Sequence, residues 1–198
     1  MSKNLTERSA EEKTSRAKKM MLWFGIVSLL MSFAGWTSAY IVSSSREDWM
    51  QDYQLPVAFW VSTVIILLSS VTYWVAKRSV EQGRQKNGTR WLGLTLLLGV
   101  AFIISQFQGF SDMIGLGYYF TGPTSNITLS YIFLIAAIHI LHVVVGMISL
   151  LVVIYNQVRG KYTPGQMLGM ELGITFWHFL DALWAVSYTH LRAHETRY

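Results

Sequence analysis

The 198-residue chain contains no cysteine. It therefore has no disulfide framework, no thiol nucleophile and no thiolate ligand for an iron–sulfur cluster, copper or zinc. Charge is also scarce, because 14% of the residues are Asp, Glu, Lys or Arg, whereas a typical soluble domain has about 25%. Apolar and aromatic residues make up 52% of the chain. This composition indicates a membrane protein.

Long uncharged runs set the predicted architecture. A membrane-spanning helix needs roughly 20 mostly apolar residues, because about 30 Å of hydrocarbon is crossed at 1.5 Å per residue. Five runs meet this requirement, at residues 22–42, 56–76, 91–111, 127–155 and 167–186. We predict an all-α integral membrane bundle of five transmembrane helices. Residues 1–19 form a polar cytoplasmic tail, and residues 20–186 form the membrane domain.

Lysine and arginine are distributed unevenly among the connections. Thirteen of the 16 lie in the N-terminal tail and in the second and fourth loops. Positive residues favour the cytoplasmic side of a membrane, so we expect the N-terminus inside and the C-terminus outside. This topology accounts for the net charge of +5 without a nucleic-acid partner.

The fourth span carries two histidines, His139 and His142. They are three residues apart, which places them on one face of a helix. A histidine on a transmembrane helix commonly forms a hydrogen bond with a neighbouring helix, and this is the interpretation we favour. A role in ligand binding or proton transfer is the alternative.

The fifth span carries two acids, Glu171 and Asp181, together with His178. The three lie within roughly 80° of one another on a helix, beside a stripe that contains Trp177 and Trp184. Each acid at the centre of a helix would cost about 2.5–3.5 kcal/mol on insertion. We therefore expect the acidic face to contact the fourth span. We expect each acid to form an ion pair or to accept hydrogen bonds from His, Trp, Ser/Thr or backbone donors. A role in ion transport or lipid-headgroup binding is the alternative.

These motifs resemble a known family. AAIHILHVVVGM, with His139, His142 and Gly146, is similar to a helix of cytochrome c oxidase subunit III, and GMELGITFWHFLDALW is similar to the next helix of that family. LPVAFWVSTVIILLSSVT resembles a third helix of the same family, through Leu55, Pro56, Thr63, Leu67, Ser69, Ser70 and Thr72. The resemblance covers residues 20–186, and five helices match the short bacterial form of haem–copper oxidase subunit III.

The resemblance implies an accessory subunit of an oxidase in the bacterial plasma membrane, part of the aerobic respiratory chain. Haem, copper, oxygen reduction and proton pumping are then expected in partner subunit I, with no catalytic centre, metal or cofactor in this chain. The chain would pack against subunits I and II, stabilise subunit I and bind membrane phospholipid. Its first two spans and its last three would form two groups with a lipid-filled crevice between them. The electron donor, cytochrome c or a quinol, is left open because its site belongs to subunit II. The resemblance implies structural, lipid-contacting or intersubunit roles for His139, His142, Glu171, Trp177, His178, Asp181 and Trp184.

The sequence departs from the family at two places. The register given by Ser28 and Tyr40 puts Leu29 where the family has an intramembrane Glu, so the role of that Glu is not expected here. Residues 187–198, SYTHLRAHETRY, form an atypical polar tail that resembles translated sequencing-adapter DNA. We expect a truncated natural C-terminus and assign the tail no function.

Two other functions fit parts of the pattern. In a membrane cytochrome b-type anchor, His139 or His142 would hold a haem together with His178, since haem requires axial ligands. The isolated subunit would then show a Soret band. In a small ion-coupled transporter, Glu171 and Asp181 would form an ion relay, and the chain would move solute in liposomes without a partner.

The charge distribution predicts opposite locations for two loops. A reporter enzyme fused after Gly83 should be cytoplasmic, and one fused after Gly122 should be on the outer side, because the second loop is rich in Lys and Arg and the third has none. Activity of an export-dependent phosphatase at each site measures this. Equal activity at the two sites would contradict the topology.

Overall fold

A computed structural model describes residues 2–50, 56–122 and 125–195 of the chain. Within these ranges the fold consists of α-helices without strands, which confirms the predicted all-α class. The helices are α1 (Ser2–Ser43), α2 (Val57–Glu81), α3 (Gln85–Gly115), α4 (Ile127–Val158) and α5 (Leu168–Glu195).

Four of the helices are long and apolar enough to cross a membrane. The qualifying segments are Glu12–Ser43 of α1 and the whole of α2, α3 and α4. Within the described residues, α5 does not meet this requirement. Glu171, His178 and Asp181 interrupt its apolar sequence. The low insertion tendency expected for this helix follows from the same residues.

All five helices are longer than the apolar runs predict, and α1 and α5 show the longest extensions at one end. The α1 helix begins at Ser2, so the charged N-terminal segment continues directly into the first apolar run. The α5 helix continues to Glu195, past the expected end at Val186. Neither extension contains Gly or Pro, the residues that most often end a helix. The polar tail thus prolongs α5 to Glu195, the last residue that the structure describes.

The α2 and α3 helices form a closely packed hairpin. Gly83, with φ 75°, makes the turn between them, a left-handed conformation that favours glycine. Gly109 of α3 lies against the Phe59 ring, and a Cβ atom there would be 3.0 Å from the ring. The α5 helix packs on α2 and α4, and α4 also packs on α3.

The α1 helix lies at the edge of this bundle. Among the described residues it contacts α4 and α5 but not α2. The family resemblance implies that the first two spans are grouped apart from the last three. That arrangement is wrong for this fold, because α1 does not contact α2 in the described ranges. The connection after α1 is attached to the start of α4, because Asn126 Nδ2 donates to the Asp48 carbonyl at 3.0 Å and Met50 N donates to Thr128 Oγ1 at 3.0 Å.

Close packing at Gly109 leads to a mutational prediction. Gly109→Val should destabilise the α2–α3 hairpin by about 1–3 kcal/mol, because the added methyl groups overlap the buried Phe59 ring. Gly93→Val is the matched control, since a Cβ on Gly93 of the same helix has nothing within 4 Å. Thermal unfolding of the purified protein in detergent measures both. Equal midpoints for the two variants would contradict the packing.

Candidate functional site

Hydroxyl groups on α2 form the centre of the candidate site. Ser69 Oγ donates to the Ile66 carbonyl at 2.6 Å, and Thr63 Oγ1 donates to the Phe59 carbonyl at 2.7 Å. Each proton is therefore used within α2 itself. The oxygen lone pairs remain available to accept a hydrogen bond from another helix.

Two tryptophans of α5 donate to these oxygens. Trp177 Nε1 bonds to Ser69 Oγ at 2.9 Å, and Trp184 Nε1 bonds to Thr63 Oγ1 at 3.0 Å. Both indoles are 1% exposed. Because the tryptophans are seven residues apart, about two turns, the contacts join α5 to α2 at two levels. We call this contact the α2–α5 polar seam.

His178 and Asp181 also face α2. Ser70 Oγ is hydrogen-bonded to His178 Nδ1, and the Asp181 carboxylate lies beside the same hydroxyl. Asp181 is 2% exposed, and neither carboxylate oxygen has a hydrogen-bond partner among the described residues. The expectation that this face contacts α4 is wrong, since His178 and Asp181 both lie beside Ser70 of α2. The hydroxyls of α2 lie where the histidines of α4 were expected.

The histidines of α4 lie in an aromatic environment. His139 is fully buried and stacks on Trp184, with ring centroids 4.9 Å apart. Neither of its ring nitrogens has a hydrogen-bond partner among the described residues. His142 Nδ1 lies 2.7 Å from the Ile138 carbonyl. Both rings make edge contacts with Phe33 of α1, so His139 contributes to packing among α1, α4 and α5.

Glu171 lies at the other end of α5 and pairs with α1. Its Oε2 is 3.0 Å from Lys19 Nζ, and both side chains are partly exposed. An exposed ion pair contributes about 0–1 kcal/mol, so this contact orients α1 more than it stabilises the bundle.

Outside the spans, the hydrogen bond and charge of Arg46 lower the pKa of Asp48.

Residues that sequence reasoning did not assign to the site complete it on the α3 side. Ser62 Oγ donates to the Phe59 carbonyl at 2.8 Å and accepts from Gln106 Nε2 at 2.8 Å. Ser105 Oγ donates to the Ala58 carbonyl at 3.0 Å. These residues could have been found in the sequence as hydroxyl and amide side chains within apolar runs. Each such side chain needs a hydrogen-bond partner in hydrocarbon.

The contacts of these residues join helices to one another. Within the described ranges, no group of three or more His, Asp or Glu side chains is arranged to hold a metal ion. The histidines proposed to grip a haem have different neighbours, since His178 bonds to Ser70 and His139 stacks on Trp184. The fold and site thus define an α-helical membrane protein whose helices are joined by buried hydrogen bonds.

Comparison with known proteins places this membrane protein in a family. The sequence model of cytochrome c oxidase subunit III matches residues 48–194, and the chain belongs to that family. It is an accessory subunit of a haem–copper oxidase complex. The haem-anchor and transporter alternatives are not supported.

Three relatives illustrate the range of the similarity. Subunit 3 of the cytochrome bo(3) ubiquinol oxidase of Pseudomonas aeruginosa is 36% identical over 172 residues, covering 84% of this chain and 80% of the relative. Cytochrome c oxidase subunit 3 of Corynebacterium diphtheriae is 29% identical, covering 78% of this chain and 77% of the relative. The same subunit of Gadus morhua is 30% identical, covering 70% of this chain but 50% of the relative.

The seam predicts energetic coupling between two side chains. Trp177→Phe and Ser69→Ala should be non-additive by about 0.6 kcal/mol, the average for hydrogen bonds between membrane helices. Detergent unfolding of the two single variants and the double variant measures the coupling. Trp36→Phe, at a tryptophan on α1 that is 39% exposed, should be additive with Ser69→Ala. Additivity of Trp177→Phe and Ser69→Ala would contradict the hydrogen bond.

Proposed function

We propose that this chain is the non-catalytic subunit III of a bacterial plasma-membrane haem–copper oxidase. It crosses the membrane five times, with its N-terminus inside, packs against subunits I and II, and stabilises subunit I. The observation that carries the proposal is the seam itself. Three residues of the α2 motif are hydrogen-bonded to three residues of the α5 motif, in the pairs Thr63–Trp184, Ser69–Trp177 and Ser70–His178. The two motifs that resemble the family are therefore in direct contact.

A scaffolding role explains how α5 can be a membrane span. Its two indoles donate to Ser69 and Thr63 of α2, whose hydroxyls are already hydrogen-bonded within that helix. His178 is hydrogen-bonded to Ser70 of the same helix. A polar group in hydrocarbon is tolerated when it is matched in this way. The α5 helix therefore enters the membrane as part of the bundle, and the buried Asp181 lies inside that bundle.

Phospholipid binding is the second part of the proposed role. A groove of about 720 Å³ runs between α1 and α5. Its lining is mostly apolar, including Ile26, Leu30, Phe33 and Leu183. Such a surface suits an acyl chain. A lipid there would connect α1, which has few contacts with the rest of the bundle, to α5.

Removal of this subunit tests the proposed function. Oxidase purified without it should begin oxygen reduction at a near-normal rate, because the redox centres lie elsewhere, and should then lose activity faster during continuous turnover. Oxygen consumption followed to exhaustion measures both quantities. The control is the same preparation with the subunit added back.

Two outcomes would contradict this proposal. One is unchanged long-term turnover without the subunit, which would remove the stabilising role. The other is complete loss of the initial rate with the haem and copper content unchanged, which would place part of the chemistry in this chain.

A further inference from the structure

Asp181 carries a carboxyl group in the interior of the bundle, in the middle of α5. It is 2% exposed, and among the described residues neither of its oxygens has a hydrogen-bond partner. It takes part in none of the ion pairs within the described ranges. An isolated ionised carboxylate is so costly to bury that such a group takes up a proton instead. The geometry therefore favours a neutral carboxylic acid.

The charged groups of the neighbouring helices are directed elsewhere. On α1, Lys19 is paired with Glu171, which is about 15 Å from Asp181 along α5. On α2, Lys77 is paired with Glu81. The other titratable side chains at nearby levels have rings that contact aromatic rings: His139 and His142 of α4, Tyr73 of α2, Tyr40 of α1 and Tyr188 of α5.

Ser70 of α2 connects Asp181 to His178. Its Oγ is hydrogen-bonded to His178 Nδ1, and the Asp181 carboxyl group lies beside the same hydroxyl. Neighbouring hydroxyls of α2 donate to carbonyls of their own helix, at Ser62, Thr63, Ser69 and Thr72. Within the described ranges Ser70 forms no such bond, so its proton is available to a side chain of α5. A hydroxyl can donate to one partner while it accepts from another.

His178 lies at the surface end of this row of three residues. It is partly exposed, whereas Asp181 is buried. It is about 10 Å along α5 from Glu171, at the predicted cytoplasmic end. An imidazole can accept a proton at one ring nitrogen and release a proton from the other. A proton that reaches His178 from the surface can thus be passed to Asp181 through Ser70.

We propose that Asp181 is a proton-binding site, reached from the bundle surface through His178 and Ser70. In the protonated state Asp181 donates its O–H to Ser70 Oγ, and Ser70 donates its O–H to Nδ1 of neutral His178. Transfer breaks these two O–H bonds and forms a new O–H bond on Ser70 and an N–H bond on Nδ1. Asp181 becomes a carboxylate, and His178 becomes an imidazolium that releases a proton from Nε2. Proton uptake reverses these steps.

The indoles on either side of Asp181 end the relay. Trp177 and Trp184 lie about one turn before and after it on α5, and their N–H groups donate to Ser69 and Thr63. An indole has one N–H donor and no acceptor, so neither tryptophan passes a proton on. The site stores a proton inside the bundle and gives no path across the membrane. The inference goes beyond the proposed accessory function, because it assigns a proton to this chain's own residues.

Infrared spectroscopy of the whole oxidase complex tests the proton on Asp181. A carboxylic acid has a C=O stretch at higher frequency than the bands of an ionised carboxylate. The wild-type minus Asp181→Asn difference spectrum should contain this C=O band. Glu171→Gln is the matched control on the same helix, and its difference spectrum should contain carboxylate bands, because Glu171 is paired with Lys19. Carboxylate bands in the Asp181→Asn difference spectrum would overturn the proposal.

Deuterium exchange tests the relay. In D₂O the C=O band of Asp181 shifts to lower frequency as deuterium replaces its proton. Ser70→Ala should slow this shift about 100-fold, because a positioned proton-transfer group contributes about 10²–10⁴-fold to a rate. Ser79→Ala is the matched control on α2, since Ser79 Oγ donates to the Val75 carbonyl, and it should keep the wild-type rate. A wild-type rate in Ser70→Ala, or equal slowing in both variants, would overturn the relay.

Ser70→Ala also identifies the band in a complex that keeps Asp181. Without the Ser70 oxygen the Asp181 O–H loses its acceptor, so its C=O band should move to higher frequency, whereas Ser79→Ala should leave the band in place. An unchanged carboxylic acid band in Ser70→Ala would overturn the proposal even if Asp181→Asn did not assemble. These spectra are independent of the turnover measurement, so their failure would leave the accessory function in place.

Discussion

The bonds that α2 hydroxyls accept from tryptophan indoles are the interaction on which the rest of this structure depends. The hydroxyls of Ser62, Thr63 and Ser69 each give their proton to a carbonyl of their own helix and accept from α3 or α5. Hydrocarbon offers no competing water, so a donor that leaves its partner remains unsatisfied. A modest bond energy therefore gives a strong preference for one rotation of α5 about its axis.

The position of α5 determines the rest of the bundle. Trp177 and Trp184 donate to α2, and the Trp184 ring also stacks on His139 of α4. The start of α5 then faces α1, where Glu171 pairs with Lys19. The apolar groove lies along this α1–α5 contact. The proposed lipid site is thus a consequence of how α5 is turned by α2.

Part of the candidate site was predictable from periodicity. The spacing of His139 and His142 placed both on one face, and both rings contact Phe33. The partner of the α5 polar face was not predictable. Charge and hydrogen-bonding capacity favoured the histidines of α4, but helical periodicity describes one helix at a time and does not specify its neighbour. Serine and threonine were also weak signals, because a hydroxyl bonded within its own helix behaves like a small apolar residue in the sequence pattern.

The sequence by itself determined the helical class, the membrane setting and the family resemblance. Uncharged runs and short motifs consist of residues that are close together in the sequence, so they can be recognised without the fold. Helix ends were less well determined, since α1 and α5 both continue through charged residues that carry no stop signal. Only the tertiary structure decided that α1 packs on α4 and α5 and that Asp181 lies beside Ser70. These facts depend on the rotation and contact of helices distant in sequence, and close packing at positions such as Gly109 selects those contacts.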